Sequence, residues 1–204
     1  MAESGFESDP RIESVLLDAA AIRARIREMA QAIAGDLSGH DEITLLGVLK
    51  GAFVFMSDLG RELREAGGPS VRFEFVRAKT YGAAIKGTGE TERTVSVDWL
   101  GADLAGKDVV LVEDILDQGF TLAHIRELLL TEVGVKSVRI CVLLDKQLDC
   151  PTPAVRALRE TLPVDYHGFR VPDRWVAGYG LDVAEEFREL PCVIVVRESC
   201  FLSD

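Results

Sequence analysis

Glu113, Asp114 and Asp117 lie just ahead of Gln118, Gly119, Phe120 and Thr121, so three acids meet a small-residue turn within nine positions. Carboxylates so spaced can hold sugar hydroxyls, a hard cation or a proton. An aliphatic run, Val109 to Val112, precedes them, and an apolar helix-like segment follows. The run reads as a buried parallel strand. The helix start would offer its unpaired N–H groups and positive dipole end to an anion. Gly119 lets the backbone approach that anion closely, and the Thr121 hydroxyl can donate to it. Glu113 and Asp114 alone would read as a solvated strand end. The whole string reads as a phosphate seat beside acids, which is chemistry on a phosphorylated sugar.

Elements that position such a site follow from periodicity. After a polar leader, Asp18 can cap a helix with the stripe Ile22, Ile26, Met29, Ala30 and Ile33, ending near Gly35. Residues 43–49 form a buried strand, 52–66 a helix, and 71–78 a strand that buries Val71, Phe73 and Phe75 on one face. A strand at 108–113, a helix near 121–131 and a buried strand at 137–145 come next. Residues 147–162 read as irregular, VDYHGFRV as a short strand and 192–196 as the last one. Strands alternating with helices predict an α/β fold with a mainly parallel sheet, whose ligands bind beyond the carboxyl ends of its strands. Leu49-Lys50-Gly51 falls at such an end, where lysine and freed backbone amides can meet a pyrophosphate. Residues 81–94 are Gly- and Thr-rich, polar and too long for a tight turn.

A chain of 204 residues suits one domain with a small appendage. Its formal net charge of −11 argues against nucleic-acid or membrane-surface partners, which want a basic face. It does not exclude an anionic substrate, because backbone amides and a bound cation can reverse the local potential. Cys141, Cys150, Cys192 and Cys200 form no C-x-x-C pair, so free thiols and a cytoplasmic location are expected. The N-terminus has no signal-peptide pattern and no apolar run could span a bilayer. His40, His124 and His167 have neither metal-site nor triad spacing, and no P-loop motif is present.

The string 109–122 resembles the phosphoribosyl-pyrophosphate (PRPP) motif of type I phosphoribosyltransferases, with Gln118 where that family commonly has a small hydroxyl residue. LLGVLKGAFVFMSDL (45–59) resembles the first active-site loop of the hypoxanthine–guanine members, in which the Leu-Lys peptide can be cis. VPDRWVAGYGLDVAEEFREL (171–190) resembles their purine-binding hood.

The resemblance implies the type I phosphoribosyltransferase fold: one domain, 1–204, with a twisted, mainly parallel sheet flanked by helices. The core would span about 37–165, with a small hood from the terminal segments (about 1–36 and 166–204) and a lid loop at about 80–95. It further implies an enzyme of purine salvage that transfers phosphoribosyl from PRPP to a 6-oxopurine with Mg²⁺. A nucleoside monophosphate and pyrophosphate would be its products, and a homodimer or homotetramer its assembly.

In that reading Leu49, Lys50, Gly51, Glu113, Asp114, Asp117 and Arg188 bind PRPP, Lys50 and Arg188 also acting in catalysis on the leaving group, with Gln118, Gly119, Phe120 and Thr121 on the 5′-phosphate. Glu113, Asp114 and Asp182 serve the metal. Asp117 acts near N7 of the base, and Thr80 and Tyr81 open the lid. Lys146, after Asp145, would meet the 6-oxo group, Trp175 stack on the base and Val176 bond its edge, with Asp182 also on the purine side. Two other readings stay open from sequence: transfer to another base such as xanthine or a pyrimidine, and a non-catalytic nucleotide sensor on the same fold.

Overall fold

A computed structural model of the chain describes residues 8–81 and 94–201. Most of the expected lid loop, residues 82–93, lies outside them.

Six strands form the large sheet, in the order β4-β3-β2-β5-β6-β7: β2 (Glu42–Leu49), β3 (Ser70–Tyr81), β4 (Thr94–Asp98), β5 (Asp108–Leu116), β6 (Ser137–Gln147) and β7 (Tyr166–Pro172). All neighbours run parallel except β3 and β4. β2, β5 and β6 are buried along almost their whole length, as centrally placed parallel strands must be. Helices α1 (Ala19–Asp36) and α2 (Phe53–Glu65) cover one face, with Ile22, Ile33, Phe55 and Leu59 in its core. α3 (Phe120–Leu128) covers the other face through Leu122 and Ile125 and runs into a π-helical turn, Leu129–Val133. Asp18 caps α1 as expected, its carboxylate accepting from the Ala21 amide at 2.7 Å.

A second sheet joins the two ends of the chain. β1 (Ile12–Leu17) pairs antiparallel with β9 (Val193–Val196), which also pairs with β8 (Val176–Ala177). The stretch read as a polar leader therefore contains a strand. Its partner is almost the whole chain away, so no local pattern announces it. β7, inside the span assigned to the hood, is the sixth strand of the large sheet.

Other expectations are corrected. Residues 147–162 contain a helix, α4 (Pro153–Thr161), started by the Thr152 hydroxyl accepting from the Val155 amide and by Pro153 in its first turn. β5 continues past residue 113 to Leu116, so Glu113 and Asp114 lie within the strand. Phe73, expected inside, is 45% exposed: its ring edge packs against Gly60 of α2 while the rest faces outward.

Candidate active site

Beyond Leu116 the chain turns through Asp117, Gln118 and Gly119 into α3. Gly119 takes the N-cap position with φ +92°, a conformation that L side chains rarely adopt, and no side chain caps the helix. A cavity of about 250 Å³ opens over this turn. Glu113, Asp114, Asp117, Gln118, Gly119, Phe120 and Thr121 line it, with Val48 and Ala78 adding apolar wall. A seat of uncapped helix-start amides and three carboxylates thus surrounds one space.

Glu113 and Asp114 are 8% and 9% exposed. Burial, then the Asp114 charge and a hydrogen bond with its carboxyl, hold Glu113 well above the usual carboxylate range. Burial raises Asp114 too, opposed by its hydrogen bonds to Glu113 and the Ile115 amide and by the Arg188 charge. The shared hydrogen bond raises Glu113 and lowers Asp114. Two adjacent oxygen donors poorly supplied with cations suit a hard divalent ion, with substrate oxygens filling the remaining positions.

The Leu49-Lys50 peptide is cis. Gly51 lies against Asp114: a Cβ on it would stand 1.5 Å from Asp114 Oδ2. On its other side, a Cβ on Gly180 would stand 2.3 Å from the Gly51 carbonyl oxygen. Only glycines let the strand tip, the 49–51 loop and the 178–188 loop touch in this way. Arg188 donates to the Gly180 carbonyl at 2.8 Å and pairs with Asp182 Oδ1 at 2.7 Å. Glu185 Oε2 accepts from Lys50 Nζ at 2.8 Å and from Arg188 Nη2 at 3.3 Å, so both cations converge on one anionic group. Arg188 Nε is buried without a partner among the described residues.

Asp182 Oδ2 also accepts from the Glu185 amide at 2.8 Å. Among the described residues no three acidic, histidine or cysteine side chains form a metal-holding cluster. Lys146 is the last residue but one of β6 and lies 3.6 Å from Asp173, its side chain only 13% exposed. Trp175 is half-buried against the cluster that contains Phe187 and Ile194, and Val176 opens β8 opposite Val195. Neither Lys146 nor Trp175 lines the cavity over 113–122. Thr80 and Tyr81 end β3 opposite Val95 and Thr94, and their side chains lie outside the described set.

Sequence reasoning missed Arg159 because it missed α4. Its guanidinium donates to the Leu116 carbonyl at 3.1 Å, to the Asp117 carbonyl and to Asp145 Oδ1. The Thr152-Pro153 pair, a capping residue before proline, was the available signal. Glu185 was missed as well; an acid in an acidic loop carries no such signal.

This fold and site define a class of protein. Residues 14–183 match the family described as phosphoribosyl transferase domain. The chain belongs to the phosphoribosyltransferase family.

Its relatives narrow the class. The hypoxanthine-guanine phosphoribosyltransferase of Dictyostelium discoideum is 37% identical over 180 residues, covering 88% of this chain and 93% of the relative. The hypoxanthine phosphoribosyltransferase of Escherichia coli (strain K12) is 39% identical over 181 residues, covering 88% and 92%. The solved hypoxanthine phosphoribosyl transferase of Trypanosoma cruzi superposes with a TM-score of 0.78 at 32% identity, covering 95% of this chain and 96% of that one.

Proposed function

We propose that this protein transfers the 5-phosphoribosyl group of PRPP to N9 of a 6-oxopurine, hypoxanthine or guanine, releasing a nucleoside 5′-monophosphate and pyrophosphate. The observation that carries this reading is a single cavity that joins the uncapped start of α3 to the buried pair Glu113–Asp114. The convergence of Lys50 and Arg188 on one anion, across Gly51 from Asp114, adds to it. Relatives named for hypoxanthine and guanine support the choice of base.

The amides of 118–121 and the Thr121 hydroxyl anchor the 5′-phosphate, and this remote binding energy orients the sugar. Glu113 and Asp114 accept hydrogen bonds from the ribose hydroxyls. As the C1–O bond breaks, its electron pair leaves with pyrophosphate and the sugar carbon becomes oxocarbenium-like. Lys50 and Arg188 stabilise the charge gathering on the leaving group, with the free Arg188 Nε as a further donor. The N9 lone pair then forms the new bond, while Asp117 takes or shares the proton at N7. Lys146 donates to the 6-oxo oxygen and Trp175 stacks on the base, an interaction worth ~1–3 kcal/mol. Val176 offers its backbone to the base edge. Thr80 and Tyr81 open a lid that excludes water.

Glu113 and Asp114 would hold Mg²⁺ together with substrate oxygens, and Asp182, already engaged by Arg188, would reach it through water. Bound there, the ion would neutralise pyrophosphate charge. A cytoplasmic location fits four free cysteines, and assembly into dimers or tetramers belongs to the same proposal. Among the described residues no helix is long and apolar enough to cross a membrane.

A spectroscopic turnover assay with PRPP, Mg²⁺ and each base in turn tests the reading. Turnover with hypoxanthine or guanine is expected. Turnover only with xanthine or a pyrimidine would move the assignment to another base, and nucleotide binding without turnover would make the chain a sensor. Lys146→Ala should raise KM for the 6-oxopurine and leave that for PRPP unchanged.

A further inference from the structure

We propose that Arg159 is a positioning residue for the 5′-phosphate seat. From α4 it clamps the Leu116 and Asp117 carbonyls and the Asp145 carboxylate together, and so sets the direction of the amides that follow. This deepens the phosphoribosyl-transfer reading and rests on it.

In a trans peptide the C=O and N–H lie in one plane and point in opposite directions. Holding the Asp117 carbonyl toward Arg159 therefore aims the Gln118 N–H away from Arg159, and Gln118 lines the cavity. The Leu116 carbonyl, held at 3.1 Å, fixes the preceding plane in the same way. The clamp is well shielded: the side chains of Arg159 and Asp145 are 17% and 8% exposed. Its stem passes close to the turn: a Cβ built on Gly119 would stand 3.8 Å from Arg159 Cγ and 3.6 Å from Leu162 Cδ2. His167 Nδ1 lies 3.5 Å from the other Asp145 oxygen.

Only a planar fork serves two carbonyls and a carboxylate at once; an ammonium is a point donor on a flexible stem. Two of the acceptors end or lie on neighbouring strands, since Leu116 pairs with Asp145 in the β5–β6 register, and the third, Asp117, opens the turn. Asp145 immediately precedes Lys146. One guanidinium thus ties the phosphate-binding turn to the strand end proposed to carry the base lysine.

The test compares PRPP KM, base KM, kcat and Tm for the wild type, Arg159→Lys, and the double variant Arg159→Met with Asp145→Asn. The double change leaves no buried carboxylate unpaired, so the chain should fold. It is expected to raise PRPP KM by about 10-fold and weaken inhibition by ribose 5-phosphate equally, because charge-assisted bonds that fix the seat are lost. Base KM should change by less than about 2-fold and kcat by less than about 3-fold if only positioning is affected. Arg159→Lys should recover most of the Tm but not the PRPP KM. An unchanged PRPP KM in the folded double variant, an equal rise in both KM values, or full rescue by lysine would overturn the inference. A wild type that binds PRPP but turns over no base would instead refute the catalytic reading.

Discussion

Burial in the free protein penalises charge on both Glu113 and Asp114. Their folded pKa values are raised above the ordinary 4.5 and 3.8. The stability this gives is complete below the ordinary carboxylate range and fades as pH rises through the raised values. Glu113→Gln keeps a hydrogen-bonding side chain without the charge. It should therefore raise the Tm of the unliganded protein more at pH 8 than at pH 5, while sharply lowering Mg²⁺-dependent turnover. A Tm gain that was the same at both pH values would contradict a raised Glu113 pKa. Asp117 differs in kind, since it lines the cavity from the turn beyond β5 and not from within the strand. Asp117→Asn should lower kcat by ~10²- to 10⁴-fold, the range of lost general acid–base catalysis. PRPP affinity should stay near the wild-type value, as titration of the variant would show. Lost affinity with unchanged turnover would refute the proton-handling role.

At the scale of elements, the site depends on three loops meeting where side chains are absent. Gly180 has φ +100° and lies on the Gly51 carbonyl. Gly180→Ala should cost roughly 1–3 kcal/mol from backbone strain alone and raise PRPP KM by displacing Arg188. Thermal unfolding and steady-state kinetics measure both, and an unchanged Tm would show that the contact yields freely. Elements of this kind were unequally legible in the sequence. β2, β5 and β6 are legible as strands, though not β5's end, because central parallel strands are buried on both faces and leave continuous aliphatic runs. The Glu113–Thr121 string was legible because strand, turn and helix start are contiguous. α4 was not, since only Val155 among its residues is fully buried and its arginines and threonine read as surface. Phe73 alternated like a core residue, yet α2 offers it only the notch at Gly60. The contacts of Gly51 with Asp114 and of Glu185 with Lys50 depend on chain closure and have no local trace.

At the scale of the whole molecule, the two ends of the chain build the small sheet beside the site. Arg11, just ahead of β1, pairs with Glu186 at 2.7 Å and lies 4.7 Å from the Phe187 ring centroid. It thereby braces the loop that carries Asp182 and Arg188. An exposed ion pair and a cation–π contact each contribute ~1 kcal/mol or less. Arg11→Ala should therefore lower Tm by roughly 2–4 °C in a chain of this size, with a rise in KM for PRPP and no change in base specificity. A Tm loss with unaltered kinetics would confine Arg11 to stability. The net charge of −11 is compatible with an anionic substrate only if the local seat is positive, and the helix start, Lys50 and Arg188 supply that. A crystal structure with a 6-oxopurine nucleoside 5′-monophosphate probes this seat directly. The phosphate is predicted within hydrogen-bonding distance of the amides of 118–121, with the ribose hydroxyls on Glu113 and Asp114. A phosphate bound anywhere else, with that turn left to solvent, would contradict the account.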